Sequence, residues 1–405
     1  MEGKYSEFVS KYKVIGFDMD HTFVRYRLDP FIKHIYDCMV NYLVNDKGYP
    51  RDGFNLDYWN HEIHYIINGL VVDIETGHVL KADEDRVITH GYHGKSPIDQ
   101  SKLEALYGLP AKIPDLIANP DLRDRFKIEM TFFGCCNALI YSQIIDVKER
   151  NNEDQDFRAL YKDMRYALES SYTIKNDEDH EKSLYFRDIV NNPQEYLHDT
   201  SEIGKWIEKL KTQNYRFFLV TNSQITTTQR LMTYTYGEKW MDLFDFTIVN
   251  SRKPGFFKDA TNVLRQVSDE NHDGIPSDKI ETGGIYREGS FDHVLKYYAE
   301  CHNLQKNDIL FAGDHYLTDT YAASAFGGVD TVTIVEEMMT HLGLEIDVPN
   351  ASDIWGSHFY SDKEKTKKTF WFKFLQENST YIIPILEYLG GDERFDSLEV
   401  DIQSL

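Results

Sequence analysis

Two kinds of apolar pattern run along the chain. Short, unbroken apolar runs without polar alternation predict strands buried on both faces. Val14–Phe17, Phe217–Val220, Phe246–Val249 and Ile309–Ala312 are such runs. Between them, apolar residues recur at helical spacing. Phe31–Asn45 carries Ile32, Ile35, Tyr36, Met39, Val40 and Leu43 on one stripe, with Gly48 and Pro50 beyond its end. Phe157–Tyr172 carries Phe157, Leu160, Tyr161, Met164 and Leu168. Thr200–Leu210 predicts another helix, leading into the run at Phe217. Strands of this kind separated by helices predict an α/β fold with a parallel sheet.

Other segments are read from turn chemistry. Leu70–Ile74 and Val79–Lys81 flank Glu75-Thr76-Gly77-His78 and predict a hairpin, with Arg86–Thr89 as an added strand. Asp99–Tyr107 predicts a short helix. Thr131–Asp146 predicts a buried helix carrying Cys135 and Cys136, and His90 and His93 fall in a predicted turn, Thr89–Gly94. His61 and His64 stand three apart, not the four of a zinc-protease helix, and read as a polar helix face. Asp269–Gly274 matches the first half of a calcium loop but has Ile280 where the bidentate glutamate belongs, so a hairpin tip is expected.

The buried runs end in chemistry-bearing residues. Val14–Phe17 is followed by Asp18 and Asp20, and Phe217–Val220 by Thr221, Asn222 and Ser223. Phe246–Val249 leads to Lys253-Pro254-Gly255, and Ile309–Ala312 to Gly313 and Asp314, with Asp319 five residues on. Parallel α/β sheets bind ligands outside the carboxyl ends of their strands. Two carboxylates there offer oxygen ligands to a hard cation such as magnesium. They also offer a nucleophile beside a proton donor. The plain alternative for Asp18 and Asp20 alone is an Asp-rich turn.

The ordered set resembles the haloacid dehalogenase superfamily of aspartyl-phosphate enzymes. Gly16-Phe17-Asp18-Met19-Asp20-His21-Thr22, Lys253-Pro254-Gly255-Phe256-Phe257 and Gly313-Asp314-His315 look like its cytosolic purine 5′-nucleotidase branch, and are similar to the 5′-nucleotidase domain-containing protein 1 family. The resemblance extends from Val14 to Glu337. It implies a Rossmann-like core with a large mixed α+β cap inserted between the first and second motifs. About 200 residues separate those motifs, far more than a crossover needs. The expected division is a discontinuous core over 1–27 and 193–345, a cap over 28–192, and a helical extension over 346–405 with a disordered acidic end.

The resemblance also implies roles. Asp18 attacks phosphorus, and Asp20 protonates the leaving oxygen and then deprotonates water. Thr221 and Lys253 hold the phosphoryl oxygens, with Asn222 assisting. Asp18, Asp314 and the backbone carbonyl of Asp20 hold Mg2+, while Asp319 fixes a metal-bound water or orients the lysine. An acid two residues after the nucleophile marks hydrolases and mutases, whereas pumps have Thr there and dehalogenases lack the acid. Arg165, Glu169 and Tyr172 share one face of the helix Phe157–Tyr172. That helix resembles the one by which purine 5′-nucleotidases hold their nucleotide. Arg165 matches it, but Glu169 stands where those enzymes have Asp, and Tyr172 where they have His.

Composition narrows the field. The net charge is −23, from 44 basic and 67 acidic residues, which argues against nucleic-acid and membrane-surface partners. Cys38, Cys135, Cys136 and Cys301 match no zinc or redox spacing and suit a reducing compartment. Met1–Lys13 has no apolar h-region, and no apolar run reaches membrane-spanning length, so the cytoplasm is expected. Phe370–Leu375 and Ile382–Leu389 read as packing segments, with a partner or homo-oligomer contact as the sharper alternative. The expected activity is magnesium-dependent hydrolysis of nucleoside monophosphates. The alternatives are a phosphatase or phosphotransferase for another small phosphorylated metabolite, and a catalytically weak binding or scaffold protein.

Overall fold

The computed structural model describes residues 11–54, 63–153, 155–172, 183–268, 271–341, 351–352, 354–362 and 364–389. Its strands are β1 (Val14–Phe17), β2 (Leu70–Asp73), β3 (His78–Ala82), β4 (Ile88–His93), β5 (Ser96–Pro97), β6 (Phe126–Glu129), β7 (Arg216–Val220) and β8 (Phe246–Val249), then β9 (Leu264–Ser268), β10 (Asn271–Pro276), β11 (Gly284–Glu288), β12 (Ile309–Gly313), β13 (Asp330–Ile334), β14 (Ala351–Ser352), β15 (Gly356–Ser357) and β16 (Tyr381–Ile383). The chain divides into two compact units.

The first unit comprises 1–27, 190–342 and 375–405. It is an α/β unit built on a sheet ordered β10-β9-β11-β8-β7-β1-β12-β13-β16. From β11 to β16 every neighbouring pair is parallel, and at the other edge β9 alone is reversed, pairing antiparallel with both β11 and β10. β1 lies between β7 and β12, so the three strand ends that carry Asp18, Thr221 and Asp314 are adjacent. All four residues of β1 are buried, as expected for a strand covered on both faces. Gly16 is needed there, because a Cβ would stand 2.2 Å from the Phe218 ring. That ring packs with Phe246, Phe311 and Tyr298 in the core.

The second unit comprises 28–189 and 343–374. Its antiparallel sheet is ordered β5-β4-β3-β2-β6. Helices Leu28–Asn45, Asn137–Arg150 and Phe157–Tyr172 belong to it. Lys81 on β3 is buried and donates to the carbonyls of Trp355, Ser357 and Tyr360. Trp355 and Trp371 donate their indole N–H groups to the carbonyls of Tyr65 and Gly69.

Some sequence expectations change. The region 346–405 is not one helical extension: residues up to 374 belong to the second unit, and β16 pairs with β13 in the first. Apolar Tyr381-Ile382-Ile383 completes a sheet edge, which needs extended rather than helical backbone. His90 and His93 lie in β4, not a turn, because Lys81 pairs with His90 and His78 with His93 across β3. The helix expected from Thr131 begins only at Asn137, after the two cysteines. Tight turns at Thr131–Gly134 and Gly134–Asn137 precede it, consistent with the poor helix propensity of Gly134. The predicted hairpin of β2 and β3 is present. His61, Asp269, Glu270 and the acidic end from 390 lie outside the described residues.

Candidate active site

The site is assembled where β1, β7, β8 and β12 end. The backbone N–H of Asp18 donates to the Ala312 carbonyl at 2.8 Å, which ties the first motif to the fourth. The chain then turns sharply: Phe23 and Val24 both donate to the Met19 carbonyl at 2.8 Å. His21 adopts φ 52° in this turn, in the left-handed region that few side chains enter.

Lys253 is the hub. Its ammonium lies 2.8 Å from Asp18 Oδ1 and 2.6 Å from Asp319 Oδ1, and donates to the Val220 carbonyl at 3.0 Å. Its side chain is 1% exposed. Burial opposes its charge, but the Asp18 and Asp319 carboxylates outweigh burial and hold its pKa above the ordinary lysine value. Asn222 braces the lysine loop: its Oδ1 accepts from the Lys253 N–H at 2.7 Å and the Ser251 hydroxyl at 2.9 Å, and its Nδ2 donates to the Lys253 carbonyl at 3.2 Å. These contacts tie the Asn222 amide to the loop that carries Lys253. The Thr221 oxygen accepts from the Ser223 N–H at 3.0 Å, which leaves its hydroxyl proton to donate elsewhere.

Asp319 sits in a wide helical turn, Tyr316–Tyr321, and its Oδ2 accepts from the His315 N–H at 3.1 Å. Its side chain packs on the backbone of Gly313, where any Cβ would meet the Asp319 Cβ at 2.5 Å. Asp18, Asp314 and Asp319 present carboxylate oxygens that all lie within 4.8 Å of one another. Three oxygen anions and one ammonium leave negative charge uncompensated. This all-oxygen donor set fits a hard divalent cation. Burial, then Asp18 and Asp319, raise the Asp314 carboxyl well above its ordinary pKa. Burial likewise lifts Asp18 to about 6, with Lys253 pulling the other way.

The Asp20 side chain lies apart from that cluster. The Tyr26 hydroxyl donates to its Oδ1 at 2.7 Å and the Ser223 hydroxyl to its Oδ2 at 2.5 Å. Burial, and then the Asp18 charge, lift Asp20 to about 6 against these two donors. The sequence marks Ser223 only as one of the polar residues that follow β7, with no role, and Tyr26 carries no such signal.

The structure thus brings together Asp18, Asp20, Thr221, Asn222, Lys253, Asp314 and Asp319. Arg165 and Glu169 belong to the second unit. Their side chains approach to 3.3 Å and line an open cavity of about 670 Å3 with Lys127, Tyr161 and Lys162. The Tyr172 side chain lies outside the described residues. No helix among the described residues is long and apolar enough to cross a membrane.

A family model described as the 5′ nucleotidase family matches residues 8–354. The 5′-nucleotidase domain-containing protein 1 of Homo sapiens is 26% identical over 349 residues, covering 84% of this chain and 75% of that one. The 5′-nucleotidase domain-containing protein 2 of Homo sapiens is 26% identical over 333 residues, covering 80% and 61%. Among solved structures, the HAD-hydrolase YfnB of Bacillus subtilis, bound to magnesium, aligns at 12% identity over 94% of this chain and 97% of that one, with a TM-score of 0.28. The L-2-haloacid dehalogenase of Xanthobacter autotrophicus aligns at 10% identity over 95% and 100%, with a TM-score of 0.30.

Proposed function

This chain belongs to the 5′-nucleotidase family and is a phosphate-monoester hydrolase; from that premise we propose that it hydrolyses nucleoside monophosphates through an aspartyl-phosphate intermediate, with Mg2+ as its metal. The observation that carries the mechanism is Lys253, buried between Asp18 and Asp319 at the ends of adjacent strands.

Asp18 is the nucleophile. A dianionic phosphate monoester repels a carboxylate, so positive charge must stand between them. Lys253 supplies one such charge, and its short contact with Asp18 gives way to the incoming phosphoryl oxygens. The Thr221 hydroxyl donates to those oxygens. Fixed donors of this kind, set where charge develops, are the main protein contribution to phosphoryl transfer. Asp18, Asp314, the Asp20 carbonyl and, on the geometry of the cluster, Asp319 would hold Mg2+, which would add positive charge against the phosphate.

Asp20 moves the proton. In the first half-reaction Asp18 attacks phosphorus, the ester P–O bond breaks, and the leaving oxygen takes the Asp20 proton. In the second, water attacks phosphorus and gives Asp20 a proton as the Asp18–phosphorus bond breaks. One group can serve both steps because each leaves it ready for the next.

For the nucleoside we propose Arg165, Glu169 and Tyr172. The cavity that Arg165 and Glu169 line is within the roughly 300–1,000 Å3 typical of small-molecule sites, which supports that assignment. A cytoplasmic location is part of the same proposal.

The test is a panel of nucleoside 5′-monophosphates beside other phosphorylated metabolites, read by release of inorganic phosphate, with Asp18→Asn as the control. We expect nucleoside monophosphates to be preferred and the variant to lose turnover by several orders of magnitude. Preference for a different ester overturns the substrate class. Near-normal turnover in the variant overturns the mechanism.

A further inference from the structure

We propose that Tyr26 is a positioning residue for Asp20, gripping one carboxylate oxygen while the Ser223 hydroxyl grips the other; this rests on the proposal above that Asp20 carries the proton.

The geometry is a two-point clamp. The Tyr26 hydroxyl meets Asp20 Oδ1 at 2.7 Å, and the Ser223 hydroxyl meets Oδ2 at 2.5 Å. A carboxylate held at one oxygen can still rotate about its Cβ–Cγ bond; held at both, it cannot. Catalytic groups need to be fixed this closely, since a misplacement of about 1 Å can cost a hundredfold in rate.

The two halves of the clamp come from different places. Ser223 follows β7, with its N–H tied to Thr221 Oγ1 at 3.0 Å. Tyr26 is held by its own backbone, which bridges to Leu197. On either side, Arg27 N–H donates to the Tyr196 carbonyl at 2.7 Å and His198 N–H to the Arg25 carbonyl at 2.9 Å. Arg25 is in turn paired with Glu336 at 2.7 Å. The Tyr26 ring is fully buried and lies against the His21 ring, with centroids 4.7 Å apart. A phenol so fixed cannot follow Asp20; Asp20 must sit where the phenol is.

Both members of the clamp are donors, and a carboxylate can accept from both at once, whereas a carboxylic acid must carry its own proton on one of those oxygens. The clamp is therefore complete on the carboxylate that the first half-reaction leaves behind. Removing the Tyr26 hydroxyl weighs on the second half, where the oriented Asp20 takes a proton from the attacking water and the Asp18–phosphorus bond breaks. The phosphorylated enzyme should then accumulate.

The test compares wild type with Tyr26→Phe, which keeps the ring and removes the hydroxyl. Steady-state kinetics are combined with an acid quench that traps phosphoenzyme formed from labelled substrate. We expect kcat to fall about ten- to hundredfold, part of the 10²–10⁴ that general acid–base catalysis contributes. KM should not rise, and the phosphorylated fraction should increase. Ser223→Ala, expected to move kcat in the same sense, gives an independent reading if Tyr26→Phe fails to fold, and Ser223→Thr should restore much of the loss by restoring the hydroxyl. If wild type forms no phosphoenzyme, the aspartyl-phosphate mechanism falls and this inference with it. If wild type forms it and Tyr26→Phe matches wild type, the inference alone is wrong. Lower activity in Tyr26→Phe without phosphoenzyme accumulation also overturns it, because a merely structural residue would behave that way.

Discussion

The Lys253 ammonium and the Asp319 carboxylate meet at 2.6 Å, with both side chains 1% exposed. The pair is buried at the end of a parallel sheet, and a second carboxylate, Asp18, stands 2.8 Å from the same nitrogen. One cation therefore offsets two anions in a place with little water. Stability and chemistry are coupled at this point.

Replacing Lys253 by Met should show that coupling. Removing one member of a buried ion pair costs about 3–5 kcal/mol, because the other charge is left uncompensated. Lys253→Met should melt well below wild type without magnesium. Added magnesium should recover more stability in the variant than in wild type, since a ligand stabilises the state that binds it. Thermal melts with and without the metal test this, and equal melting temperatures for the two proteins without metal would refute it.

Metal removal has its own expected result. Chelation should abolish hydrolysis, and magnesium should restore it. Asp314→Asn should raise the magnesium concentration for half-maximal activity by at least about tenfold, the lower end of the loss seen when even an outer partner of a metal is removed. Full activity of chelator-treated wild type would show that the acidic cluster serves some other end.

Arg25 predicts a pH effect on stability. It pairs with Glu336 at 2.7 Å and stands 3.6 Å from Glu387, so one guanidinium faces two buried carboxyls, with Glu337 adjacent in sequence to Glu336. Burial raises Glu336 from its ordinary 4.5 to about 7, against Arg25 and with help from Glu387 and Glu337. A raised folded-state pKa means that the folded protein binds this proton more tightly than the unfolded one. The associated stability is fully present below about 4.5 and is lost as pH rises to about 7, on the order of 3 kcal/mol at 1.36 kcal/mol per unit. Glu336→Gln should melt at a temperature less dependent on pH across that window. Identical pH dependence in the two proteins would exclude this assignment.

Arg165→Ala tests the nucleoside assignment. KM for a nucleoside monophosphate should rise severalfold, while hydrolysis of a small aryl phosphate stays nearly unchanged. Binding lost uniformly, away from phosphorus, has that kinetic form. Equal losses on both substrates, or none on either, would remove Arg165 from recognition.

Three members of the candidate site are legible in the sequence because each follows directly on a buried strand. Asp18, Thr221 and Asp314 come immediately after β1, β7 and β12, and a buried parallel strand announces itself without any knowledge of its neighbours. Lys253 was legible for a similar reason, as the lysine before Pro-Gly after β8. The clamp on Asp20 was not. It depends on Tyr26 pairing with Leu197, some 170 residues away, and on which way a serine hydroxyl turns. The bracing of the lysine loop by Asn222 was not legible either, because the direction of its amide comes from hydrogen bonds to a loop that the pattern of residues cannot orient. His90 and His93 were misread because Gly91 and Gly94 suggest a turn, while the pairing with β3 decides for strand.

The return of residues 354–389 to both units limits how the chain can be shortened. Seen as text, everything after Glu345 lacks chemistry and invites removal. Cutting there would bare the edge of β13, whose backbone groups pair with β16, and an open strand edge is a template for self-association. It would also strip Lys81 of the three carbonyls that receive its ammonium, and remove Trp355 and Trp371 from the interior they fill. A shortened protein that aggregates would then owe its failure to two wounded interiors, with every side chain of the candidate site still in the polypeptide.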